Sequence, residues 1–132
     1  MSARVVSDAS ALVALLLDAG REGRWVTDAL RGTDIAAPSL AMYETANIIR
    51  RHEIAGHVSA DQAAQAHADL LDLAIEPWPY ELLASRVWAL RHNLSSYDAS
   101  YVALAELIGA TLVTLDQRIA QAPDVRCPIA TP

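Results

Sequence analysis

The chain has 132 residues, a formal net charge of −6, and 53% hydrophobic but only 5% aromatic residues. This suits one ordinary domain over residues 1–132 with a real core, and excludes a disordered chain. A single cysteine, Cys127, excludes a disulfide framework and a cysteine-rich zinc site, and all ten basic residues are arginine, which excludes a Walker-type phosphate loop and any lysine-dependent Schiff-base or phosphoaspartate chemistry.

Residues 5–7 read as a short buried strand ending at Asp8. Ser10 then caps an apolar helix to about Leu17, where Asp18, Gly20 and Gly23 interrupt it. Residues 25–31 form a second helix stopped by Gly32, and residues 35–37 a second strand. Pro38 and Ser39 open a long helix to about His52, ending near Gly56. Ser59 and Gln62 have capping-box spacing and start a helix through Asp72. A third strand is expected at 74–76, closed by Pro77 and Pro79, followed by a helix over 81–92 with Leu82, Leu83, Val87 and Leu90 on or near one face. After a loop at 93–96 comes an apolar helix over 98–108, ended by Gly109. The clearest strand is 111–115; Asp116 begins a last short helix, and 125–127 adds an edge strand.

Short apolar strands alternating with helices are the mark of parallel crossovers. The expected fold is a three-layer α/β/α sandwich around a short-stranded parallel sheet. The N-terminus meets an acid at Asp8 and does not read as a secretory signal. The longest apolar run, 9–17, is far short of the roughly 20 residues that span a bilayer. A soluble, cytoplasmic protein without a membrane partner is expected. Its acidity argues against a plain DNA-coating role, so a nucleic-acid partner must be held by local arginines.

In an open parallel sheet, ligands bind beyond the carboxyl ends of the strands. Asp8 and Asp116 stand at two such ends, Asp98 lies in the first turn of a helix, and Glu44 sits inside the long helix. Taken singly, Asp98 and Asp116 are explained equally well as helix caps, and Glu44 as a solvated residue. A carboxylate directly after a buried strand, as Asp8 is, needs backbone donors or a cation. Four carboxylates at one sheet edge would repel strongly in a low-dielectric cleft, and coexist around a hard divalent cation. All-oxygen ligation selects Mg2+ or Mn2+ over zinc. With those four of the 16 acids set aside, the remainder is close to balance against ten arginines. A metal so held activates water and stabilises charge on a phosphoryl oxygen, and two metals about 3.5–4 Å apart clamp both attacking and leaving oxygens. Phosphodiester hydrolysis is the reaction class that fits.

Val5-Val6-Ser7-Asp8-Ala9-Ser10, Tyr43-Glu44-Thr45-Ala46-Asn47, Tyr97-Asp98-Ala99-Ser100-Tyr101 and Leu112-Val113-Thr114-Leu115-Asp116-Gln117-Arg118, in this order and spacing, resemble the PIN domain, and more closely its VapC-type ribonuclease toxins. The resemblance covers almost the whole chain. It implies a Mg2+- or Mn2+-dependent endoribonuclease using one or two ions, a homodimer, and a cognate VapB-type antitoxin as partner. Asp8 and Asp98 match the principal metal ligands, with Glu44 and Asp116 as the other acids of the catalytic site. Ser10 and Thr114 match hydroxyls that orient the acids, and Asn47 a polar partner one turn from Glu44. Arg118 stands where some relatives carry another acid.

Other constellations are weaker. Asp8-Ala9-Ser10 lacks the second acid of a phosphoaspartate motif, and His52, His57, His67 and His92 lack the spacing of a helical zinc site. Ser95, Ser96 and Ser100 have no nucleophile-elbow frame. Arg50, Arg51 and Arg118 are candidates for guiding RNA phosphates, with surface ion pairs as the equal alternative. Trp25, Trp78 and Trp88 are too far apart in sequence for a stacking platform and read as core or interface packing. The alternative to a nuclease is a non-catalytic PIN-like module that binds RNA or a protein.

Overall fold

The computed structural model describes residues 2–132. Five strands, β1 (Arg4–Ser7), β2 (Asp34–Pro38), β3 (Glu76–Trp78), β4 (Thr111–Val113) and β5 (Ile129–Ala130), form one sheet in the order β3-β2-β1-β4-β5. Every pairing is parallel. Seven helices connect them: α1 (Ala9–Leu17), α2 (Arg21–Leu30), α3 (Leu40–Ile54), α4 (Ala60–Asp72), α5 (Ala84–Ala89), α6 (Ser96–Ile108) and α7 (Gln117–Gln121). Among the described residues, no helix is long and apolar enough to cross a membrane.

Strand alternation builds the layers. Val6 and Leu112 face a core completed by Leu83, Val87, Val102 and Leu104 of the α5–α6 side. Val5 and Val113 face Ala11, Ala14, Val26 and Leu30 of α1 and α2. The expected three-layer sandwich is thus formed, and a satellite cluster of Ile49, Ala63 and Ala66 ties α3 to α4. Strand register places the polar residues at the sheet edge: Ser7 lies opposite Val113, so Asp8 and Thr114 leave the sheet side by side.

Several boundaries differ from those expected. The third strand is Glu76–Trp78, displaced from 74–76 because the Ile75 amide turns back to the Leu73 carbonyl at 2.9 Å. Pro77 is tolerated there because β3 pairs with β2 alone, at the sheet edge. The last strand is Ile129–Ala130, beyond 125–127. That earlier stretch is captured by Glu106, whose carboxylate accepts from the Arg126 amide at 2.8 Å. The helix expected over 81–92 is a 3₁₀ turn, Tyr80–Leu82, succeeded by α5; Leu83, Val87 and Leu90 are buried, whereas Leu82 is exposed.

The second helix begins at Arg21, four residues earlier than expected, and runs through Gly23. A β-carbon on Gly23 would lie 1.7 Å from the Asp18 carbonyl oxygen, so this glycine permits close packing where the sequence suggested an interruption. The capping box of Ser59 and Gln62 forms in full, with bonds of 2.8 and 3.1 Å. Gly109 ends α6 at φ 67, a conformation that glycine adopts without a steric penalty.

Candidate active site

Asp8 caps α1, a role expected of Ser10: its Oδ1 accepts from the Ala11 amide at 3.0 Å. Ser10 lies inside the helix and donates to the same oxygen at 2.7 Å. Thr114, fully buried, donates to the other oxygen, Oδ2. Each hydroxyl is itself held by the loop after β4. Ser10 Oγ accepts from the Leu115 amide at 3.1 Å, and Thr114 Oγ1 from the Asp116 amide at 2.9 Å. Asp8, only 4% exposed, is therefore fixed in direction from two sides, by the first turn of α1 and by Thr114 just beyond β4.

The other acids arrive from three further elements. Asp98 is not a cap: Ser95 caps α6, accepting from the Asp98 amide at 3.1 Å. Asp98 is left at the positive end of the helix dipole, where negative charge is favoured. Asp116 caps α7, and its carboxylate also receives Arg118 at 2.8 Å. Glu44 is half-buried on α3 and accepts from the Tyr101 hydroxyl at 2.6 Å. Tyr101, 1% exposed, was not singled out in the sequence. The available signal was a tyrosine one turn after Asp98, at the head of the apolar run Val102–Ala105 of α6.

These acids feel each other. Burial pushes the Asp8 carboxyl above its ordinary range, against the lowering by its three hydrogen bonds, and the nearby Asp116 charge adds to the rise. Glu44 is raised by burial, with further contributions from Asp98 and Asp8. Asp98 is raised by burial and then by Asp116. Asp116 alone is lowered, by its hydrogen bonds to Arg118. Arg118, largely exposed, also lies 4.0 Å from Asp98. Among the described residues no three His, Cys, Asp or Glu side chains already converge as a complete ligand set for a metal ion; the Arg118 guanidinium is the cation that Asp98 and Asp116 face.

The remaining candidates lie apart. Asn47 is exposed and makes a marginal 3.5 Å contact with Arg50. Arg50 lines a shallow groove with Glu53 and His67 between α3 and α4, away from the acids. Arg51 is exposed near the end of α3. Of the three arginines, only Arg118 is brought to the carboxylates.

A family profile described as the PIN domain matches residues 5–125. The chain belongs to the PIN-domain family. Within it, the curated relatives are VapC ribonucleases. Ribonuclease VapC9 of Mycobacterium tuberculosis is 38% identical over 125 residues, covering 95% of each chain. Ribonuclease VapC1 of the same organism is 35% identical over 94% of each chain. Among solved structures, PAE2754 from Pyrobaculum aerophilum superposes with a TM-score of 0.71 at 25% identity, over 96% of this chain and 83% of that one. Mycobacterium tuberculosis VapC20, a sarcin–ricin loop cleaving toxin, superposes with a TM-score of 0.65 at 19% identity, over 92% and 98%. A toxin–antitoxin complex from Klebsiella pneumoniae gives 0.64 at 19%, over 96% of both chains. These last two share the fold of this PIN domain, whose acids stand at the carboxyl edge of the sheet.

Proposed function

We propose that this PIN-domain protein is a VapC-type endoribonuclease, the toxin of a toxin–antitoxin pair, with Asp8, Glu44, Asp98 and Asp116 as its catalytic acids. The observation that carries the reading is the β1–β4 register, which sets Asp8 beside Thr114, whose hydroxyl links the Asp8 carboxylate to the Asp116 amide, while the Tyr101–Glu44 bond ties α3 to α6, the helix of Asp98. The relatives named VapC ribonucleases support it.

The donor set fits a hard divalent cation. All ligating atoms would be carboxylate oxygens, which suits Mg2+ or Mn2+. Three of the four acids are raised in pKa, chiefly by burial and then by one another's charge, and a bound cation would offset both effects. When bound there, such an ion would supply an activated water and neutralise charge growing on the phosphoryl oxygen.

The chain's own residues do the rest. Ser10, Thr114 and the Ala11 amide hold the Asp8 carboxylate in one orientation, and Tyr101 does the same for Glu44. Arg118 is exposed, so its guanidinium turns from Asp116 to a phosphate at little cost and binds it bidentately. Water attack in line with the leaving oxygen would yield 3′-hydroxyl and 5′-phosphate ends. A VapB-type antitoxin and a second copy of the chain are the protein partners this reading carries. Tyr43, 81% exposed beside Glu44, supplies apolar surface for such contact.

The test is cleavage of total RNA with Mg2+, Mn2+ or EDTA, beside Asp8→Asn and Asp98→Asn. Discrete fragments are expected that disappear with EDTA and in both variants. Wild-type rates in either folded variant would remove the site assignment, and absence of both cleavage and Mn2+ binding would favour the non-catalytic module.

A further inference from the structure

One turn from the acids along both α3 and α6, the surface opens into a cavity of about 230 Å3. Leu40 precedes Glu44 by four residues and Tyr97 precedes Tyr101 by four, and both line it. Since Tyr101 bonds Glu44, the cavity lining lies one helical turn before that pair on both helices. Its floor is Pro38 and Trp78, at the carboxyl ends of β2 and β3, with Leu83 behind. Its walls are almost wholly apolar atoms. Tyr80 and Tyr97 also line it, and are 51% and 64% exposed.

One polar group here is unaccounted for. The indole N–H of Trp78 is buried and has no acceptor. A buried unpaired donor carries a free-energy penalty that a partner would relieve. Neighbouring polar groups do not supply it: Ser39 Oγ donates to the Trp78 carbonyl at 3.1 Å, and Ser100 Oγ donates to the Tyr97 carbonyl at 2.6 Å. The Trp78 ring is held in place by the Arg4 guanidinium, 5.5 Å from its centroid, and Arg4 is anchored in turn by Glu76.

We infer that this cavity is a nucleobase subsite, seating one unstacked base of the RNA next to the phosphodiester that is cut. Three aromatic side chains, Trp78, Tyr80 and Tyr97, around an apolar slot match the way bases of single-stranded RNA are held, by stacking on aromatic faces. The volume lies below the range of about 300–1,000 Å3 typical of drug-sized ligands, which suits a single ring system. Its place at the same sheet edge as the acids makes it reachable by the strand whose phosphate they attack. The inference rests on the ribonuclease reading for the identity of the ligand, and its test is separable from that reading.

The test monitors the Trp78 indole N–H resonance by NMR, assigned by its loss in Trp78→Phe. With EDTA present, the wild-type protein is titrated with the four ribonucleoside 5′-monophosphates and, as a control without a base, ribose 5-phosphate. The expected result is a saturable shift of the Trp78 signal with at least one nucleotide, no such shift with ribose 5-phosphate, and its loss in Tyr97→Ala. Equal shifts with ribose 5-phosphate, or none with any nucleotide up to its solubility limit, would overturn the subsite. A Trp78 signal that moves only with the concentration of the protein itself would give the cavity to a second copy and overturn it as well. A nucleotide-induced shift without RNA cleavage leaves the subsite standing while the nuclease reading fails; cleavage without the shift does the reverse. Once a cut site is mapped, an abasic nucleotide at one flanking position is expected to lower wild-type kcat/KM roughly tenfold, the worth of one stacked base, and to add no further loss in Tyr97→Ala.

Discussion

Replacing Thr114 by valine removes one hydroxyl from the centre of the proposed site while preserving side-chain shape. That hydroxyl donates to Asp8 Oδ2 and accepts from the Asp116 amide. A hydrogen bond to a charged acceptor contributes about 1.5–3 kcal/mol, and an amide left without a partner costs about 1 kcal/mol more. The added buried methyl offsets roughly 0.8 kcal/mol. The net expectation at pH 7 is a loss of about 2–3 kcal/mol, a large share of the 5–15 kcal/mol typical of a domain. For a chain of this length that lowers the melting temperature by roughly 6–12 °C.

Protonation of Asp8 changes the size of this effect. Burial raises its folded-state pKa above the ordinary 3.8, so well below that ordinary value, near pH 3, the folded protein holds Asp8 neutral. The bond lost there is between neutral groups, about 0.5–1.5 kcal/mol; with the Asp116 amide again unpaired and the methyl offsetting roughly 0.8 kcal/mol, the net loss is about 0.7–1.7 kcal/mol. Urea and thermal melts in EDTA at pH 7 and pH 3 should therefore show a penalty larger at pH 7 by at least about 1 kcal/mol, with Thr114→Ser restored toward wild type. Equal penalties at both pH values, or a valine variant as stable as wild type at pH 7, would refute the claim that Thr114 holds a charged Asp8.

Asp8→Asn should separate stability from function. Because the folded pKa of Asp8 is raised, its contribution to stability is full below pH 3.8 and is lost as pH rises through the folded value. In EDTA at pH 7 the asparagine variant is thus expected to melt higher than wild type. Saturating Mn2+ should reverse the order, since wild type gains about 2.7 kcal/mol at 100 times Kd; an unchanged order in calorimetry would contradict metal binding at Asp8. Tyr101→Phe removes the donor to Glu44, allowing the carboxyl to rise further. The acid limb of the pH–rate profile should move to higher pH, and an unmoved limb would limit Tyr101 to packing. Arg118→Gln removes the cation facing Asp98 and Asp116. Tighter Mn2+ binding is expected by calorimetry, together with a salt slope of RNA binding reduced by about 1; an unaltered slope would show that Arg118 does not touch phosphate.

The class of fold and the place of Asp8 and Asp116 beyond strand ends were legible in the sequence because both are local signals. Strand–helix alternation is a matter of apolar period, and Asp8 and Asp116 each come after an apolar strand and precede a helix. Ser59 and Gln62 likewise formed the expected box, since its bonds join residues three apart. Where partners are remote, local patterns misled or were silent. The last strand moved to Ile129–Ala130 because Glu106, twenty residues away, holds the Arg126 amide. The cap of α1 passed from Ser10 to Asp8 because the strand register with β4 fixes where Asp8 points. Tyr101 became the partner of Glu44 across fifty-seven residues, and Trp78, Tyr80 and Tyr97 came together around one cavity. The sequence determined which chemistry the chain carries, through residue types whose local spacing is independent of packing. Only the tertiary structure decided which carboxylate is buried, which hydroxyl holds it and which arginine faces it, because those depend on long-range pairing of strands and helices that no local pattern encodes.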